Sequence, residues 1–157
     1  MGAMSAHAGE EAIPAAIRAD LDARYPGWQL YDLDVMQPGE RKYCSVSGGA
    51  PLVGGDFNGD GTPDYGVLIA YRHKGYALAY VSRSKGYRRY TLFPAKPNDT
   101  GSPGLLSLVP KGSTRPDIEA NRPMVALKDG VTLIFCESSR VTYYFRRNKF
   151  APVFEAD

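Results

Sequence analysis

Apolar residues recur every fourth position near the start of the chain and then, beyond Gly27, at alternate positions for most of its length. Ile13, Ile17 and Leu21, with Ala16 beside them, predict one amphipathic helix over residues 13–24, and Pro14 suits its first turn, where an N–H would have no partner. Asp20 and Arg24 interrupt the same side and at that spacing are expected to pair with each other. Pro26 and Gly27 stop the helix. From Trp28 to Val35 the pattern is extended, with Trp28, Leu30 and Leu33 expected in the core.

Three further runs, Tyr65 to Tyr71, Tyr76 to Val81 and Tyr87 to Phe93, predict strands with Gly75 and Gly86 marking the turns, most economically an antiparallel meander. The first run is apolar on both faces, so it is expected to be a central strand covered on both sides, with the helix or a second sheet supplying the cover. Residues 94–104 and 110–123 are rich in Pro, Gly, Asn and Asp and are expected to be irregular. Leu105 to Val109, Met124 to Leu127, Val131 to Cys136 and Val141 to Arg147 predict more strands, with Asp129-Gly130 as a tight hairpin turn. The expected fold class is mostly β (α+β): one N-terminal helix packed on an antiparallel meander or sandwich.

A length of 157 residues with 43% hydrophobic content suffices for one core, so a single β-rich domain is expected over residues 11–157. Met1-Gly2-Ala3-Met4 reads as a tag remnant, and residues 1–10 as a tail outside the fold.

The chemistry of the chain concentrates in Asp56-Phe57-Asn58-Gly59-Asp60-Gly61-Thr62-Pro63-Asp64. Oxygen-bearing side chains fall at loop positions 1, 3, 5 and 9 and a glycine at position 6. A hard cation with six to eight oxygen ligands is served by a chain that curls around it and presents alternate residues inward, with a glycine allowing the sharp turn. Asp56, Asn58, Asp60 and Asp64 are therefore the expected side-chain ligands of calcium, and the Thr62 carbonyl a backbone ligand. A helical EF-hand would need a Glu at position 12, where this chain has Val67. Asp-Phe-Asn-Gly-Asp-Gly leading into the apolar run Tyr65 to Ile69 instead resembles the calcium-binding β-hairpin loop of FG-GAP and integrin-type repeats. The likeness covers residues 56–70. In that family the repeats stack as propeller blades; one motif in a chain of this size makes no propeller, so the resemblance implies the metal ligands alone.

Cys44 and Cys136, each in a β-like context, read as a disulfide joining the early part of the fold to its late strands, with two buried thiols as the alternative. The calcium loop and the paired cysteines together suggest export to the periplasm or the extracellular space. No apolar run reaches the roughly 18 residues that span a membrane.

The net charge of +2 conceals an asymmetry: residues 1–64 hold 4 Lys or Arg against 10 Asp or Glu, and residues 65–157 hold 15 against 7. From Tyr65 to Asn98 there is no acid at all. Arg72, Tyr76, Arg83, Tyr87, Arg88, Arg89 and Tyr90 are the candidate partner-binding residues there, because Arg and Tyr combine large contact area with a hydrogen-bonding tip. The expected partner is another protein with an acidic surface; nucleic acid is disfavoured by the small overall charge.

Catalysis finds little support. The histidines are His7 in the tail and His73 in a turn, and no nucleophile elbow, phosphate loop or zinc-protease motif is present. Glu137 beside Ser138 and Ser139 is a single acid where glycoside chemistry needs two. The expectation is a non-catalytic, calcium-stabilised protein-binding module, similar in size and style to periplasmic inhibitors and immunity-type proteins. A glycan-binding module and a hydrolase are the alternatives.

Overall fold

The computed structural model describes residues 12–31, 49–94, 104–117, 120–135 and 139–156. They form one short helix and antiparallel β-sheets. The expected mostly-β class, with one N-terminal helix among the described residues, is what the structure shows. Leu33, Cys44, Cys136 and Glu137 lie outside the described residues, as does most of the 94–104 segment.

Helix α1 spans Ala15–Arg24. Pro14 caps it with a carbonyl that accepts both Ile17 N–H and Arg18 N–H at 3.0 Å, and Ile13, Ile17 and Leu21 are all buried. The stripe packs on Leu30, Val67, Ile69, Leu78 and Tyr80. Trp28 is only half-buried and donates its indole N–H to Asp22 at 2.7 Å. Arg24 lends Asp20 its charge, as its spacing implies, and a longer-range pair is added to it. Asp20 takes a 2.7 Å hydrogen bond from Tyr80 Oη and pairs with Arg89, which ties the helix to the sheet beneath it.

That sheet contains β1 (Gln29–Leu30), β2 (Leu52–Gly55), β3 (Asp64–Tyr71), β4 (Lys74–Ser82) and β5 (Tyr87–Phe93). Strand β3 is central: β1 and β2 share one of its edges and β4 takes the other. Alternation sends Val67 and Ile69 toward the helix and Leu68 to the opposite face, so the centre of this strand is apolar on both faces for the reason the sequence implied. The β3–β4 turn is not at Gly75, which pairs with Ala70 inside the strands. It is Arg72-His73, with φ of 50° and 64°, the doubly left-handed geometry of a two-residue hairpin.

The second sheet runs β11 (Lys149–Ala156), β10 (Ser139–Arg146), β9 (Gly130–Phe135), β6 (Leu105–Val109). Its Leu106, Val131, Leu133 and Phe145 share a core with Leu68, Ala77, Ala79, Val81 and Leu92 of the first sheet. A Cβ on Gly66 would stand 2.9 Å from Val53 Cγ2 and 3.2 Å from Val131 Cγ2, so glycine is what lets the sheets approach there.

Two loop expectations are overturned. The 110–123 segment carries β7 (Thr114–Asp117), which pairs with β8 (Arg122–Val125) as a hairpin of its own. The breakers Pro116 and Pro123 face each other across it, tolerable because a two-stranded ribbon leaves outward N–H positions that proline can occupy. Asp129-Gly130 is not a hairpin turn either, since β8 pairs with β7 while β9 pairs with β6 and β10.

Candidate metal centre

The loop Asp56–Asp64 connects β2 to β3, whose last and first residues, Gly55 and Asp64, are register partners. Phe57 points away from the polar loop into the shared core, fully buried and edge-on to Phe150 at 6.0 Å. This anchors the second loop position and leaves positions 1, 3 and 5 on the other side of the curl. Gly59 and Gly61 have φ of 77° and 80°, the left-handed backbone a tight curl requires and side chains resist.

Around this curl the side chains of the predicted ligands bond to the loop's own backbone. Asp56 Oδ1 accepts the N–H groups of Gly59 and Asp60 at 2.9 and 3.1 Å, and its Oδ2 accepts that of Gly61 at 2.8 Å. Asn58 Oδ1 accepts Asp60 N–H at 3.2 Å, and Asp60 Oδ1 accepts Thr62 N–H at 2.8 Å. Asp64 is fully buried; its Oδ2 accepts Phe57 N–H at 2.7 Å and Asn58 N–H at 3.3 Å. Thr62 itself is exposed.

Two residues the sequence reading missed complete the loop. Ser82, at the end of β4, donates its N–H to Asp64 Oδ1 at 2.7 Å. Its hydroxyl lies 2.8 Å from Asp64 Oδ1 and 3.3 Å from Asp60 Oδ2. One hydroxyl has one hydrogen, so two carboxylates compete for a single donor. Asp129 is the second: its Oδ2 accepts Asp56 N–H at 2.9 Å from 73 residues away. Neither had a signal in sequence, because each reaches the loop only through strand pairing.

The electrostatics follow this geometry. Burial pushes the Asp64 carboxyl above its usual range, against the opposing hydrogen bonds from Ser82, Asn58 and Phe57. The Thr62 N–H leads the interactions that hold exposed Asp60 below the ordinary carboxylate value. Among the described residues no group of three or more His, Cys, Asp or Glu side chains stands preassembled for a metal. The loop carboxylates are turned onto the loop's own N–H groups instead. A carboxylate oxygen has more than one acceptor direction, so an oxygen that takes an N–H can still face a cation. The donor set of three carboxylates, one amide oxygen and a backbone carbonyl fits the oxygen-only chemistry of calcium.

The seven candidate partner-binding residues are not brought together. Tyr87 and Arg89 join Tyr76 on the helix side of β4–β5, where Arg89 pairs with Asp20. Tyr90 points the other way, packing edge-on to Phe145 at 5.4 Å and Phe150 at 5.3 Å, with Arg83 donating to its hydroxyl at 3.0 Å. Arg88 is exposed above the Tyr90 ring, and Arg72 sits apart in the β3–β4 turn. Strand alternation divides the run, and half of it serves the fold. Cys44 and Cys136 cannot be placed, since both fall outside the described residues.

No family model, no curated protein and no solved structure matches this chain.

Proposed function

We propose that the chain is a non-catalytic protein-binding module of the periplasm or extracellular space, stabilised by one calcium ion in the loop Asp56–Asp64. The observation that carries the reading is the convergence of Asp56, Asn58, Asp60 and Asp64 on one curl closed by Ser82, where Asp60 and Asp64 compete for a single hydroxyl hydrogen. A cation set between the two carboxylates would serve both oxygens, which one hydroxyl hydrogen does not. Three carboxylates against a divalent ion leave the loop at about −1.

On this reading Asp56, Asn58, Asp60, Asp64 and the Thr62 carbonyl hold the metal, as the resemblance to FG-GAP-type loops implies. Its role is to pin the β2–β3 hairpin rather than to meet a substrate, since a loop that supplies most of the shell leaves little room for one. The two sheets then serve as a sandwich scaffold, and the partner is a protein with an acidic surface, which fits the basic balance of residues 65–157. Thermal melting of metal-stripped protein tests the proposal. At calcium about ten times the dissociation constant the fold gains about 1.4 kcal/mol by mass action, and an unchanged melting temperature would overturn it.

A further inference from the structure

On the outer face of the second sheet, Tyr144 and Arg146 of β10 stand beside Ala151 and Val153 of β11, and the β7–β8 hairpin rises next to them. Between them lies a cleft of about 400 Å³, lined also by Arg122, Pro123, Met124, Val125 and Pro152. We propose that this cleft binds an acidic peptide segment, with an aliphatic side chain on the floor and carboxylates on Arg122 and Arg146. This gives the protein-binding reading its surface and rests on that reading.

Three observations select the occupant. The first is charge: Arg122 and Arg146 are both exposed and supply the charged side chains among the described lining residues, with Asp117 as the register partner of Arg122 on the neighbouring strand. Guanidinium groups present a planar fork that matches carboxylates two bonds at a time. The second is the floor, where Met124 and Val153 pack on the buried Val109, Ala126 and Tyr144; a thioether adapts to side chains of differing shape. Apolar surface continues out of the cleft through Val125, 54% exposed, to Leu127, 76% exposed, which suits a chain longer than one residue. The third is the backbone. Pro116 and Pro123 in the hairpin and Pro152 in β11 keep their places in unbroken ladders but present no N–H on the outward edge, so these edges offer an incomplete set of donors to an added strand. An occupant is therefore held by side chains and not by strand addition, which makes charge and apolar spacing its recognition code.

The test uses calcium-loaded, isotope-labelled protein and a synthetic peptide of about eight alternating Glu and Leu residues, with a Lys-Leu peptide of the same length as the control. The expected result is resonance shifts at residues 122–125 and 144–153 with the acidic peptide only. Affinity should fall about tenfold or more in the Arg122→Glu, Arg146→Glu double variant, with its melting temperature held. Binding of equal strength by the double variant overturns the proposal, as does an absence of binding or equal binding of the Lys-Leu peptide. Acidic-peptide shifts confined to β4–β5 overturn the cleft but leave a protein-binding module standing. Calcium-dependent melting of the same samples reports separately whether the calcium part of that reading has failed.

Discussion

Asp129 holds Asp56: one carboxylate oxygen accepts the Asp56 N–H at 2.9 Å, and the other accepts the Lys111 N–H at 2.8 Å. The first residue of the candidate calcium loop and the turn that opens into β7 thus share one side chain. Backbone bonds from Gly112 N–H to the Ala126 carbonyl and from Ala126 N–H to the Ser113 carbonyl then fasten that turn to the base of the β7–β8 hairpin. A contiguous path runs from the loop to the wall of the cleft.

Asp129→Ala should cost about 2 kcal/mol, because it leaves two backbone donors without their charge-assisted acceptor. For a domain of this size that is a fall of about 4–8 °C in melting temperature. Calcium affinity should weaken in the same variant, since Asp56 loses the bond that positions it. Melting curves with and without calcium measure both effects; a variant that melts like the parent would show that Asp129 is incidental.

Arg88 and Arg89 are neighbours in sequence, yet they should behave differently. Arg89→Ala removes the partner of Asp20 and should destabilise by on the order of 1 kcal/mol, whereas Arg88→Ala on the exposed side should stay within about 0.5 kcal/mol of the parent. Urea midpoints of the two variants decide it.

The same pair sets a pH dependence. Burial raises the Asp20 carboxyl, but hydrogen bonds from Tyr80 and Arg89, with the charges of Arg89 and Arg24, outweigh it and leave the group lowered. A carboxyl depressed in the folded state contributes stability that is complete above its unfolded value, near pH 4, and is lost as pH falls through the lower folded value. The stability gap between the parent and Asp20→Asn should therefore be widest above about pH 4 and close in stronger acid. A gap that widens on acidification would contradict the assignment.

How much of this was legible in the sequence depended on the range of the interaction. Ile13, Ile17 and Leu21 at helical spacing, and the two-sided apolar run of β3, carry their own burial pattern, so the helix and the central strand could be read directly. The candidate calcium loop is equally local: Asp56, Asn58, Asp60 and Asp64 lie within nine residues, and Gly59 and Gly61 between them take the left-handed backbone of the curl. The β7–β8 hairpin was hidden because its prolines imitate a loop, and β11 because Asn148, which with Arg147 makes the turn before it at φ of 62° and 50°, gave only a weak turn signal. Ser82, Asp129 and the Asp20–Arg89 pair were out of reach, since each depends on which strands become neighbours. The basic tyrosine-rich run is divided by strand alternation, which sends Tyr90 and Arg89 to opposite sides; that Arg89 meets Asp20 and Tyr90 meets Phe145 depends on what packs against each face.

A Cys44–Cys136 disulfide is part of the proposed reading, and intact mass tests it. Forming it removes two hydrogens, so intact mass should rise by about 2 Da on reduction. Labelling of both thiols in protein unfolded without reductant would contradict it.

Calorimetric titration of calcium into metal-stripped protein tests the central claim most directly. One site is expected, with a dissociation constant on the order of 10⁻⁴ to 10⁻³ M, the range of extracellular calcium modules, and Asp60→Ala should abolish most of the heat. Because Asp60 is exposed, the fold should survive that change and the comparison should remain clean. A flat titration of the folded parent protein, or an Asp60→Ala variant that binds calcium as the parent does, would contradict the account.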